Sequence, residues 1–196
     1  MNLESFAMHD ILSLILDNID ALTQSNGRLL VAIDGRCASG KTSTAAALQA
    51  ARGWPVIHMD QFFLRPEQRS AARYAVPGEN IDHERFLQEV LLPLRSGKAA
   101  AYRPFSCHSQ QLEPPISLPD SPVYIIEGSY SCHPLLRQYY DLRIFLTVDP
   151  QTQAERILVR NGPEYAQVFR DKWIPLEERY FAECDVLKHC DLCYTT

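Results

Sequence analysis

No stretch of about eighteen consecutive apolar residues occurs in the chain, so nothing in it reads as a membrane-spanning helix. Lys and Arg are scattered and outnumbered by Asp and Glu, 19 against 24, for a formal charge of −5. Without a basic cluster there is no electrostatic footprint for a nucleic-acid backbone or an anionic membrane, and a small-molecule ligand is expected instead. Repeats and low-complexity tracts are missing too, which excludes solenoids and long linkers. Cysteine is sparse for a disulfide scaffold. Six thiols in 196 residues belong to a chain large enough to do without staples, and they are expected to stay reduced. Cys190 and Cys193 form a CxxC beside His189, but no second ligand pair stands at metal-site spacing, and a short terminal strand is the plainer reading. Glu4, Asp10, Asp17 and Asp20 interrupt the apolar positions near the start, unlike a secretory or transit peptide, so a cytoplasmic location is expected.

What is present is an apolar fraction of 46%, enough for one compact α/β domain over residues 1–196. Apolar positions at near-helical spacing (Leu3, Phe6, Ile11, Ile15, Ile19, Leu22) predict a helix over 3–24 that ends at Asn26-Gly27 and lies on the core, so that residues 1–27 form an N-terminal helical element. Four short apolar runs follow, at 29–33, 54–59, 123–126 and 143–148, with a weaker fifth at 191–194. Between them lie helix-length stretches: 41–51 closed by Gly53, 82–96 closed by Gly97, and 150–160 closed by Gly162, the last opened by Asp149-Pro150 as N-cap and first turn. Strands alternating with helices imply a mainly parallel, five-stranded sheet in a three-layer α/β/α arrangement. Ligands in such folds bind beyond the carboxyl ends of the strands.

The first strand, LLVAID, runs directly into Gly35-Arg36-Cys37-Ala38-Ser39-Gly40-Lys41-Thr42, and the helix former STAAALQAA follows from Ser43. This strand, glycine loop and helix is a phosphate-binding loop, which makes the fold class a P-loop NTPase. Its N–H groups and helix terminus would surround the phosphates of ATP, Lys41 would reach the β- and γ-phosphates, and Thr42 would hold Mg²⁺. The nucleotide-binding set is thus Gly35 to Ser43. The second run ends in Asp60 and the third in Glu127, so two carboxylates project toward the loop. One suits Mg²⁺ and the other a proton-accepting base; Glu127 is assigned to the metal and Asp60 to the base, with helix capping as the alternative for each. Asp34, also in reach, is open between capping and a supporting role behind the metal.

Taken in order, AIDGRCASGKT, HMDQFF, PGENIDHERF, YRPFSCHS, YIIEGSYS, FLTVDP and WIPLEERYF resemble the uridine kinase and phosphoribulokinase group of P-loop kinases, and most of all its small bacterial uridine kinase-like members. The resemblance implies that Asp60 receives the acceptor proton and that Phe63, at the end of the same motif, lies with the acceptor. It implies that Asp82 holds ribose hydroxyls, unless it only caps its helix. It places Tyr102, Arg103 and His108 in the acceptor pocket with Glu127 nearby, although Pro104 stands where animal uridine kinases have Asp and His108 also reads as a solvated loop residue. It implies an arginine-bearing lid over about 156–172, giving Arg156 and Arg160 a catalytic role over the migrating group, with Arg170 more distant. This lid is shorter and poorer in Arg than in typical uridine kinases. Trp173, Tyr180 and Phe181 either line a base pocket or pack the core. Enzymes of the group form oligomers, which leaves a homo-oligomer open.

The expected activity is therefore ATP- and Mg-dependent transfer of a phosphoryl group to a small-molecule hydroxyl, foremost the ribose 5′-hydroxyl of uridine or cytidine. Alternatives are a kinase of the same fold for another alcohol, such as pantothenate, nicotinamide riboside or a sugar phosphate, or a nucleotide-binding module without kinase activity. The DxxG and NKxD motifs of guanine-nucleotide switches are missing.

Overall fold

A computed structural model describes residues 8–24 and 27–196. The apolar runs form five strands: β1 Leu29–Gly35, β2 Val56–His58, β3 Val123–Glu127, β4 Leu142–Thr147 and β5 Leu192–Thr195. They lie in the order β2-β3-β1-β4-β5, and each neighbouring pair is parallel. The weak CDLCY run is indeed the fifth strand.

Helices cover both faces, which is why β1 and β3 read as unbroken apolar runs rather than alternating ones. Leu29, Val31 and Ile33 pack on one side with Ile11, Ile15 and Ile19 of α1 (Met8–Thr23) and with Ala45 and Leu48 of α2 (Lys41–Arg52). Leu30 and Ala32 pack on the other with Phe86, Val90 and Leu94 of α3, a helical run over 83–95 that includes a π-turn at Leu87–Leu91. Two further helices close the chain, α4 (Pro150–Val168) and α5 (Ile174–Glu183), joined by a π-turn at Phe169–Trp173. Tyr180 and Phe181 of α5 belong to the second core. The expected three-layer α/β/α architecture is what forms. Leu3, Phe6 and Asn26, expected in and at the end of the first helix, lie outside the described residues. No described helix is long and apolar enough to cross a membrane.

Two glycines shape the site. Gly162, at φ 77 and ψ 169, breaks α4 where the sequence predicts a stop, and the helix restarts at Pro163. Gly35, at φ 138, ends β1 so close to β4 that an added Cβ would lie 1.9 Å from the Leu146 carbonyl oxygen. Backbone blocks that position, so no rotamer change can relieve it. Gly35→Ala is expected to cost about 4 kcal/mol or more, lowering Tm by on the order of 10 °C in thermal denaturation. An unchanged Tm would show that β4 yields.

Between α3 and β3 the chain makes an excursion of two-residue strand pairs, Ala101–Tyr102 with Ile116–Ser117 and Phe105–Ser106 with Gln111–Leu112. The YRPFSCHS segment lies there. The carboxyl ends of β1, β2 and β3 meet at one edge of the sheet and carry the loop of 35–42, Asp60 and Glu127.

Candidate active site

A cleft of about 570 Å³ opens at that edge, lined by Cys37, Ala38, Gly40, Lys41, Thr42 and Ser43 of the loop and by Asp60, Phe63 and Glu127 from the neighbouring strand ends. Gly40 at φ 86 and Ala38 at φ 60 fold the loop back on itself, and Ser39 N donates to the Arg36 carbonyl at 3.1 Å. The first N–H groups of α2 have no carbonyl a turn earlier to bond, so they face the cleft as donors for an anion. Lys41 Nζ donates to the Gly35 and Arg36 carbonyls, at 2.7 Å each, which holds its charge at the loop's centre. A triphosphate fits this donor set. Gly35, Arg36 and Ser39, also expected to bind the nucleotide, do not line the cleft: Gly35 makes the close approach to β4, and the Ser39 hydroxyl is buried without a partner among the described residues.

Thr42 Oγ1 donates to Glu127 Oε2 at 3.2 Å, so the two residues expected at the metal converge. A hydroxyl beside a carboxylate is an oxygen donor set suited to Mg²⁺ with its remaining positions filled by water and phosphate. Glu127 Oε1 also pairs with His58 Nδ1 at 2.6 Å, and that bond pushes the His58 pKa up. Asp60 lines the same cleft and is exposed to solvent. Its carboxyl is nevertheless pushed above its ordinary value, first by the desolvating walls and then by the Glu127 charge.

The residues that hold the loop in place carry no motif of their own. In WIPLEERYF the acidic pair, not the aromatics, does the holding. Glu177 Oε2 accepts from Cys37 N at 2.9 Å and its Oε1 from the Ser129 hydroxyl at 2.6 Å. Glu178 accepts from Arg36 Nε at 2.6 Å and Nη2 at 2.8 Å, a forked pair that turns Arg36 away from the cleft. Gln153 Nε2 donates to the Cys37 carbonyl at 3.0 Å from α4. Burial first, then Glu177, pushes the Cys37 thiol up to about 12, which makes it an inert packing group. Glutamates on a helix carry no sequence mark of these partners, which lie about 140 residues away along the chain.

Asp34 does not cap the helix that follows it, whose N-cap is Gly40. Fully buried, it accepts from Gly35 N at 2.7 Å, Tyr130 N at 3.1 Å, Cys132 N at 2.8 Å and the Tyr180 hydroxyl at 2.8 Å. It therefore ties the end of β1 to the turn after β3 and to α5. Burial raises its pKa to about 6 against the opposing pull of those donors.

Arg156 and Arg160 both line the cleft from the first half of α4, and Phe169 and Trp173 line it from beyond the break at Gly162. Arg156 Nη1 donates to the Ala38 carbonyl at 3.1 Å, and Arg160 sits 5.6 Å over the Phe169 ring. Arg170 is exposed and does not line the cleft. Trp173 stacks at 6.2 Å on Phe63, while Tyr180 and Phe181 pack the core.

Four residues expected at the acceptor are not brought into the cleft. Asp82 caps α3 by accepting from Arg85 N at 3.2 Å and is enclosed by Arg65 and Arg85, which is the capping alternative. Tyr102 is buried and its hydroxyl donates to Gln61 at 2.7 Å. Arg103 lines a separate, shallower pocket with Arg65 and Glu67 and donates to the Leu112 and Glu113 carbonyls. His108 is an exposed turn residue. The excursion that carries Tyr102, Arg103 and His108 packs against the π-turn of α3, and no local pattern reveals that choice.

Glu79, His83 and His133 bring three potential metal-ligand atoms within 4.8 Å of one another. The imidazoles are stacked, 4.4 Å apart and 13° from parallel, so their lone pairs run side by side instead of converging. His133 Nδ1 accepts from Leu135 N at 3.3 Å and His83 Nε2 pairs with Glu79 Oε1 at 2.9 Å. This is a hydrogen-bonded brace. Burial, then His83, pulls the His133 pKa down to about 3. The unfolded chain takes a proton near pH 6.5 that the folded protein refuses, so stability falls as pH drops from about 6.5 toward 3. His133→Phe is expected to flatten that fall in Tm measured against pH; parallel curves would show that His133 titrates normally.

The strand order and the loop between β1 and α2 define the fold as a P-loop NTPase of the kinase-like kind. No protein-family model and no curated protein matches the chain. Solved structures do. A possible uridine kinase from Bacillus stearothermophilus shares the fold at a TM-score of 0.65 and 21% identity, covering 92% of this chain and 98% of its own. Phosphoribulokinase from Rhodobacter spheroides does so at 0.58 and 13%, over 86% of this chain and 70% of its own. A circularly permuted Saccharomyces cerevisiae protein, described as a candidate P-loop kinase, does so at 0.59 and 13%, over 97% and 99%. The fold of P-loop kinases is established by these likenesses.

Proposed function

We propose that the protein is an ATP- and Mg-dependent small-molecule kinase whose foremost acceptor is the ribose 5′-hydroxyl of a pyrimidine nucleoside. The observation that carries the proposal is the convergence of Lys41, Thr42, Glu127 and Asp60 on one cleft. MgATP supplies the phosphoryl group. Lys41 and the α2 N-terminus hold the phosphates, and Thr42 with Glu127 holds the metal. Asp60, its proton affinity raised, takes the hydroxyl proton as the acceptor oxygen bonds to phosphorus and the bond to ADP breaks. Arg156 and Arg160 supply positive charge over the migrating group. The likeness to a possible uridine kinase favours a nucleoside acceptor. Another alcohol is the second reading, favoured by the placement of Tyr102, Arg103 and His108 outside the cleft.

The test is ADP release with MgATP against uridine, cytidine, other nucleosides, nicotinamide riboside, pantothenate and sugar phosphates, with Asp60→Asn as control. Stimulation by uridine or cytidine that vanishes in the variant supports the first reading. Stimulation by another alcohol alone replaces the acceptor, and nucleotide binding with no stimulated turnover overturns the kinase.

A further inference from the structure

Two cleft-lining side chains, Asn80 and Tyr130, belong to none of the parts described so far. Both are more than nine-tenths buried, at 6% and 3% exposure. Asn80 Nδ2 and the Tyr130 hydroxyl are also buried polar atoms with no hydrogen-bond partner among the described residues. The amide lies near enough to the phenol to favour its ionised form, yet the two do not reach hydrogen-bond geometry. Native interiors pair such groups almost without exception, so two idle donors facing one cleft are what a ligand would satisfy.

Both side chains are held in place from behind. Tyr130 has φ 75, a left-handed conformation that a bulky residue adopts only when its surroundings impose it. Asp34 imposes it by accepting from Tyr130 N and Cys132 N. Asn80 lies in the turn before α3, where the stacked His83 and His133 with Glu79 form the brace, and Gly78 packs against the His133 ring. The next residue, Ile81, bridges to Phe63, and Asp82 N donates to the Phe62 carbonyl at 2.7 Å, so this turn is pinned beside the segment that carries Asp60. Strained backbone, rigid support and unspent donors together are the marks of a preorganised binding site.

We infer that Asn80 and Tyr130 form the subsite that anchors a second, uncharged hydroxyl of the acceptor while its reacting hydroxyl meets Asp60. The inference rests on the kinase reading and narrows its substrate class. Glu177 and Asp34 stand close to the Tyr130 phenol, and Glu127 and Asp60 line the same cleft. Lys41, Arg156 and Arg160 bring positive charge to the same cleft, but the charges acting most on the Tyr130 phenol are those of Glu177 and Asp34, so an acceptor phosphate or carboxylate is disfavoured at this end, whereas a neutral diol both donates and accepts. The acceptor is thus an uncharged polyol such as a sugar or nucleoside, and a sugar phosphate is disfavoured.

Three measurements on the intact protein test this. Without nucleotide, Tyr130→Phe is expected to match or exceed the wild-type Tm, because it deletes a desolvated hydroxyl that makes no hydrogen bond of good geometry among the described residues. A fall of several degrees would reveal an internal partner and overturn the subsite; this arm decides whether or not the protein is a kinase. With MgATP and uridine or cytidine, Tyr130→Phe and Asn80→Ala are each expected to raise the acceptor KM about tenfold, with the KM for ATP unmoved. An unchanged acceptor KM overturns the anchor. Ribulose 5-phosphate turned over in preference to the nucleosides overturns the uncharged class. Should the wild type turn over no acceptor at all, the kinase reading fails, and the thermal arm still decides whether the two polar groups are idle.

Discussion

Asp60→Asn is expected to lower kcat by about 10² or more while leaving ATP affinity within a few-fold, the usual contribution of a positioned general base. The substitution keeps the shape and removes the proton acceptor. Because no side-chain hydrogen bond or ion pair joins Asp60 to the phosphate loop among the described residues, the nucleotide site should not sense the change. The wild type should also show an acid limb in kcat against pH. Desolvation, then the Glu127 charge, holds the Asp60 pKa above 3.8, so the carboxylate protonates, and the rate falls, at a pH higher than for an ordinary Asp. Steady-state kinetics across pH checks both statements. Unchanged turnover in the variant would remove Asp60 from the base role, and an acid limb shared by wild type and variant would assign it to another group.

Lys41→Ala is expected to have the second large effect. A charged donor held at the phosphates is worth on the order of 1.5–3 kcal/mol, so ATP Kd should rise about 10- to 100-fold. Transfer should fall further, by about 10² or more, since the charge also meets the migrating group. The structure adds a second consequence. Lys41 Nζ ties the Gly35 and Arg36 carbonyls together in the free protein, so the variant should also melt lower without nucleotide. Titration calorimetry, turnover and Tm separate the two roles. Normal ATP affinity would break the phosphate-loop reading, while weakened affinity at unchanged Tm would show that the tether carries little.

Much of this arrangement is legible in the chain because its causes are local. The strands announce themselves as short apolar runs, since a sheet buried on both faces admits little else. Gly162 marks the break in α4 because a residue there must adopt positive φ. Asp149 caps α4 by accepting from Gln151 N and Thr152 N, as Asp before Pro suggests. Asp82 shows where local signals stop deciding. The same IDH triplet reads equally as a cap or as a ribose ligand, and the outcome follows from Arg65 and Arg85 closing around the carboxylate. Trp173 and Tyr180 share one helical stretch, yet Trp173 lines the cleft and Tyr180 is sealed in the core.

The sequence by itself determined the phosphate loop, the five parallel strands and the carboxylates at their ends, because backbone conformation and apolar periodicity are properties of neighbouring residues. Only the tertiary structure decided how that loop is held and what faces the acceptor. The Asp34 contacts with Tyr130 and Tyr180, the Glu177 and Glu178 contacts with the loop, and the meeting of Asn80 with Tyr130 join residues about 50 to 150 positions apart. Such pairings are set by which helix packs on which face of the sheet, and no residue in them carries a local sign of its distant partner.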